Sequence, residues 1–206
     1  MRAIAALLVA LGLAASLAAC KQSSAGASSE DMSLGSPTAK VTVVEYASLG
    51  CPVCAKWNND NFAAFKAKYI DTGKVHYVLK EMPTGDESVA AAGFLLARCA
   101  GKDKYFQVID AVFRQEADLL ESGKGAEERD RLVKIAESNG LTDAQFDACV
   151  SDDKALMAWN KRVNDSAQAA HVDSTPTFVI NGKTYTGYQD LSELDKAIAD
   201  AGAAKT

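Results

Sequence analysis

The sequence predicts an α/β fold built from a β-α-β unit, an all-helical block and a closing β-β-α unit. Three observations carry this. A β-branched run over Lys40 to Tyr46 leads through a helical pattern into a second strand pattern. Residues 86–170 show helical faces and no convincing strand. Near the end, Asn181-Gly182 joins two short strand patterns ahead of a last helix.

The first strand, "KVTVVEY", carries apolar residues on both alternating faces, as a strand buried inside a sheet requires, and Glu45 is its anomaly. From Pro52 to about Asp71 the pattern turns helical. Trp57, Phe62, Phe65 and Tyr69 recur at spacings of three to five, and Pro52 suits a first helical turn because its missing N–H has no partner there anyway. After a turn at Thr72-Gly73, "KVHYVLK", Lys74 to Lys80, alternates as a second strand, and Pro83 and Gly85 close the unit. In the helical block, Tyr105, Val108, Ile109 and Val112 mark one face; Leu132, Ile135 and Ala136 another; Leu156, Trp159 and Val163 a third. Thr142 and Gln145 form a capping box. "TPTFVINGKTYTG", Thr175 to Gly187, reads as a hairpin. The last helix has Leu191, Leu194 and Ile198 on its apolar face, with Ser192 and Asp195 as the expected cap.

The start of the chain belongs to no domain. Arg2 precedes a run of apolar and small residues from Ala3 to Ala19, the pattern of an export signal, which ends in "LAAC". Leu17, Ala18, Ala19 and Cys20 resemble the bacterial lipobox, which implies cleavage before Cys20 and a lipid on its sulfur. The alternatives are a conventional signal cut after Ala19 and an uncleaved anchor, for which the run is short. Lys21 to Pro37 is rich in Ser, Gly and Ala, the composition of a flexible tether. The expected organisation is a signal over 1–19, a lipid-anchored linker over 20–37, a sheet domain from 38–85 and 171–206, and a helical insertion over 86–170.

The 206 residues are 48% hydrophobic and 24% charged, an ordinary globular balance. A net charge of -5 with no basic block argues against a nucleic-acid surface, and removing residues 1–19 takes the charge to -6. No phosphate loop, nucleophile elbow or dinucleotide fingerprint is present. Attention therefore falls on "SLGCPVCAKW", where Cys51 and Cys54 could bind a metal, staple the fold or exchange electrons. A tetrahedral zinc site needs a second ligand pair, and His76 and His171 stand alone. A CxxC opening a helix suits exchange, since unpaired N–H groups and the macrodipole favour a thiolate on Cys51, leaving Cys54 as the buried resolving thiol.

A strand, a helix-opening CxxC and a later X-Pro before a hairpin resemble the thioredoxin pattern, and the helical insertion resembles its DsbA-like branch. The resemblance covers residues 38–203 and rests on "EYASLGCPVC" and "STPTFVING". It implies a thiol-disulfide oxidoreductase that needs no cofactor beyond its own Cys51-Cys54 pair. It also implies that Pro176 is a cis-proline beside the CxxC and that Thr175 contacts substrate. Pro52-Val53 departs from the Pro-His of strongly oxidising relatives. The Val53 side chain offers the thiolate neither charge nor a hydrogen bond, so a less oxidising couple is expected.

Glu45 has two readings, a buried proton acceptor for Cys54 or a carboxylate paired with a lysine such as Lys80. Cys99 and Cys149 each sit on an apolar helical face of the insertion. Some DsbA-like proteins carry a second bridge there, so a structural disulfide is expected, both cysteines pointing inward. The expected partners are protein thiols of the bacterial envelope and a membrane or soluble redox partner that resets the pair. A monomer held on the periplasmic side by its lipid is expected, with Lys21 favouring the outer membrane. Oxidation is the favoured direction, with a reductase or isomerase, and then a copper or zinc chaperone, as alternatives.

Overall fold

The computed structural model describes residues 30–123 and 125–204. Five strands form one mixed sheet in the order β1-β3-β2-β4-β5. They are β1 (Met32–Leu34), β2 (Val41–Ala47), β3 (Val75–Glu81), β4 (Thr177–Ile180) and β5 (Lys183–Thr186). β2 and β3 run parallel, with Val43 opposite Tyr77, and the other pairings are antiparallel. The double-sided apolar pattern of β2 has its explanation here. Val43 faces the larger core cluster, and Val44 and Tyr46 face a smaller one closed by Val172 and the Ala167 to Ala170 end of the helix Asp153–Ala170. The hairpin turns at Asn181 and Gly182, both at positive φ (46° and 90°), which the Asn-Gly pair tolerates.

The crossover helix fills residues 52–70, but not as a uniform α-helix. An α-helical start, Pro52–Trp57, gives way to π-type turns at Asn58–Phe62 and Lys66–Ile70 on either side of Ala63–Phe65. The wide π turn brings Phe62, five residues after Trp57, back to the same face, where both rings pack near each other with centroids 6.2 Å apart. The irregular aromatic spacing of the sequence is the trace of that turn.

The expected linker is corrected at its end. Met32–Leu34 form an edge strand against β3, and the Lys80 ammonium donates to Asp31 at 2.6 Å in a nearly buried ion pair. Three residues carry no periodicity to read. Their order comes from β3, whose open edge offers unpaired backbone groups. The signal, Cys20 and most of the linker lie outside the described residues.

Among the described residues, six helices form the insertion: Glu87–Cys99, Lys102–Arg114, Glu116–Ser122, Ala126–Ser138, Asp143–Val150 and Asp153–Ala170. Thr142 and Gln145 make the expected capping box. The last helix, Leu191–Ala203, is capped two residues earlier than expected, by Asp190 with Glu193. Asp195 is instead held across the fold, accepting from Lys68 Nζ and Tyr69 Oη at 2.6 Å each. The insertion shares its core with the sheet, since Phe94, Phe146 and Trp159 join the cluster that contains Val43 and Trp57. Buried Glu81 at the end of β3 is a polar rivet between them, accepting from Tyr105 Oη (2.6 Å), Arg98 Nε (2.8 Å) and Arg162 (3.1 Å). Cys99 and Cys149 are joined, with Cα atoms 6.1 Å apart. Only Cys149 is buried; Cys99, the last residue of its helix, emerges to the surface.

Candidate active site

The CxxC lies where β2 ends. Ser48 turns the chain there: its hydroxyl donates to Thr84 O at 2.6 Å and accepts from the N–H groups of Gly50 (3.2 Å) and Thr84 (3.3 Å). Gly50 and Gly85 then bring two backbones into contact, with Asp86 N–H donating to Gly50 O at 2.9 Å. A Cβ on Gly85, whose φ is +73°, would lie 1.9 Å from Gly50 O, so no side chain fits. This clamp presents Cys51 as the N-cap of the helix, with Pro52 at its first position. Pro52 and Val53 face solvent, Val53 with 44% of its surface exposed, while Cys51 retains 8% and Cys54 none.

The two thiols are electrostatically unlike. The Cys51 thiol is pushed down to about 5 from an ordinary 9.0. A hydrogen bond from the Cys54 thiol contributes most; burial opposes it, and the Thr175 hydroxyl and the N–H groups of Cys54 and Val53 add to it. The helix terminus therefore acts as expected, but its neighbour's S–H contributes more. Cys54 is pushed strongly upward, chiefly by burial and then by giving that hydrogen bond, so it keeps its proton.

The Thr175-Pro176 bond is cis, and the Thr175 carbonyl oxygen lies 3.7 Å from Cys51 Sγ. Across 124 residues of sequence the chain thus returns to the reactive sulfur. The Thr175 and Thr84 hydroxyls hydrogen-bond each other, and Gly187 N–H donates to Pro176 O at 2.8 Å. Trp57 Nε1 donates to Gln189 O at 2.9 Å, tying the CxxC helix to the loop after β5.

Glu45 is buried at 2% exposure and its carboxyl is pushed up to about 8, by desolvation that the Tyr77 hydroxyl, donating at 2.6 Å, only partly offsets. Lys80 pairs with Asp31 rather than with Glu45, which removes the lysine partner. No hydrogen bond joins Glu45 to Cys54. Tyr77 bonds Glu45 and also interacts electrostatically with Cys54, its own acidity suppressed by burial and then by Glu45, with Cys54 adding a smaller part.

Sequence reasoning missed four residues here. Ser48 and Thr84 carry no motif. Tyr77 alternates like any strand residue. Glu116 has a faint signal, since it precedes Leu119 and Leu120 by three and four residues and so falls on the buried face of its helix. Among the described residues, no group of three or more His, Cys, Asp or Glu is placed to hold a metal ion.

This arrangement has an ionisable sulfur at a helix start, a protonated sulfur behind it and a cis-proline beside it. The family model described as Thioredoxin matches residues 27–200, most of the chain. The chain belongs to the thioredoxin family. A Rickettsia bellii protein provisionally named a protein-disulfide oxidoreductase is 34% identical over 175 residues, 83% of this chain. This thioredoxin-family chain spans only 66% of that relative, a little under two thirds of its length. The crystal structure of α-DsbA1 from Wolbachia pipientis matches with a TM-score of 0.78 at 25% identity, over 86% of this chain and 94% of that one. Oxidised BdbD from Bacillus subtilis shares the fold, with a TM-score of 0.63 at 22% identity over 84% and 93% of the two chains. Within the thioredoxin family the chain is DsbA-like, with the helical insertion between its sheet strands.

Proposed function

We propose that the protein is an exported thiol-disulfide oxidoreductase that oxidises dithiols of envelope proteins through Cys51 and Cys54. A substrate thiolate attacks Cys51 Sγ of the Cys51-Cys54 disulfide. The S–S bond breaks, and Cys54 leaves with the electron pair and takes up a proton. The substrate's second thiolate then attacks the substrate sulfur of the mixed disulfide, and Cys51 leaves as a thiolate. The substrate has lost two electrons and gained a disulfide; the protein now holds the dithiol, which a membrane or soluble redox partner reoxidises.

The observation that carries this is the opposite ionisation of the two sulfurs. A thiolate held near 5 leaves readily and stabilises the dithiol form, which makes the disulfide oxidising. It is still less acidic than the thiolate of DsbA, at about 3.5, in keeping with Val53 in place of a histidine. Thr175 and Pro176 would receive the substrate strand, since a proline offers no competing N–H and the exposed Pro52-Val53 edge leaves Cys51 approachable. Glu45, hydrogen-bonded to Tyr77, would exchange the proton of Cys54. The names of the Rickettsia and Wolbachia relatives support the same chemistry. Export and a lipid on Cys20 rest on the leader pattern alone.

Mixing the oxidised protein with a reduced, unfolded disulfide protein tests the direction. Rapid disulfide formation without reshuffling supports an oxidase. Recovery of a scrambled substrate by the reduced form would make it an isomerase, and tight copper or zinc binding without exchange would make it a metal carrier.

A further inference from the structure

The insertion brings one carboxylate to the redox site that the chemistry above does not use. Glu116 opens the helix Glu116–Ser122, which packs against the Pro52–Trp57 start of the CxxC helix and whose Leu119 belongs to the same core cluster as Cys54 and Trp57. Its residue surface is 4% exposed, and its Oε1 has no hydrogen-bond partner. A buried carboxylate oxygen in that condition is costly to keep, and a positioned charge near a reacting group is a reason to keep it. The other charges along this stretch are engaged elsewhere. Lys56 pairs with Asp60 at the surface, and Arg114 pairs with Asp110, which also accepts from Asn58. No described cation pairs with Glu116, and it meets the Cys51 sulfur electrostatically.

We propose that Glu116 is a positioning residue for the redox couple: its buried carboxylate, with Oε1 unpartnered, lies on the helix packed against the CxxC helix, opposes negative charge on the Cys51 sulfur and so sets how oxidising the disulfide is. This rests on Cys51 being the exchanging thiol. The sign follows from the reduced form. Glu116 destabilises the Cys51 thiolate and with it the dithiol, so the equilibrium with a thiol such as glutathione lies further toward the disulfide than the hydrogen bonds to Cys51 alone would place it. The carboxyl itself is held above its usual range, by burial first and by Cys51 second. The interaction is reciprocal, so oxidation, which removes the thiolate, lets Glu116 ionise more easily.

The test compares wild type with Glu116→Gln, Glu116→Leu and Glu116→Asp. The thiolate absorbance of Cys51 is titrated, and the equilibrium of each protein with reduced and oxidised glutathione is measured. Both charge-deleting variants should lower the Cys51 pKa and shift the equilibrium about three- to tenfold toward the dithiol, the range expected of one charge at intermediate effective dielectric. Glu116→Asp should stay near wild type. Thermal unfolding of the oxidised forms provides a structural reading that a charge effect on the thiolate does not require to move. If Gln or Leu disrupts folding, carboxyl NMR titration of wild-type Glu116 in its oxidised and reduced states asks the same question without a substitution, and equal values there overturn the proposal. So does an unchanged Cys51 pKa and equilibrium in a folded charge-deleted variant. A wild-type Cys51 that resists alkylation and never exchanges would instead overturn the function itself, a distinct outcome because it appears before any variant is made.

Discussion

Burial of Glu45 makes the oxidised protein lose stability as pH rises, and Glu45→Gln should abolish that loss. The folded carboxyl is pushed up to about 8 from 4.5 in the open chain, so below 4.5 both states are protonated and nothing is lost. As pH rises from 4.5 the unfolded carboxyl ionises first, which favours unfolding until the folded one ionises near 8. Between pH 5 and pH 8 this amounts to about 3 to 4 kcal/mol, at 1.36 kcal/mol per pH unit of separation. Cys51 acts with the opposite sign, and only in the dithiol. Its folded value of about 5 lies below its ordinary 9.0, so its stabilisation is complete above 9 and disappears as pH falls through 5. Over the same window it adds about as much as Glu45 removes. Denaturant unfolding at pH 5 and pH 8 should therefore show a steep loss for the oxidised wild type and a nearly level reduced wild type. Glu45→Gln should level the oxidised protein and make the reduced one gain stability with pH. Carboxylates other than Glu116 cancel in the differences between these curves, and those differences are what is compared. Parallel pH slopes for wild type and Glu45→Gln would refute the buried, proton-holding carboxyl, and parallel slopes for the two redox states would refute the acidic Cys51.

Three further outcomes are expected. Cys54→Ala removes the leading donor to Cys51, a hydrogen bond to a charged group worth about 1.5 to 3 kcal/mol, so thiolate titration should show the Cys51 pKa higher by about one to two. Gly85→Ala forces a Cβ into the Gly50 carbonyl at a positive φ and should cost at least about 2 kcal/mol in denaturant unfolding while slowing alkylation of Cys51. Replacing Cys99 and Cys149 together with Ala should lower stability by about 2 to 4 kcal/mol and leave the Cys51 pKa unchanged, since the bridge only ties helices of the insertion.

Much of the fold was legible because periodicity is a local property. The two faces of β2, the Asn181-Gly182 turn and the Thr142 cap depend on residues within one element, and each stands where the pattern puts it. The misplacements share a cause. The edge strand Met32–Leu34 is ordered by β3, more than 40 residues away, and the pairings of Asp195 with Lys68 and Tyr69 span 127 and 126 residues. Cys99 was expected inside because it continues an apolar face; the end of its helix carries it to the surface.

The sequence by itself determined the order of elements and which two cysteines open a helix, because a CxxC spacing and a following apolar period are both encoded within a few residues. Only the tertiary structure decided how those sulfurs ionise. Thr175, Tyr77 and Glu116 reach the site from distant segments, and a pKa depends on burial, charge and hydrogen bonds summed in space, to which distance along the chain contributes nothing.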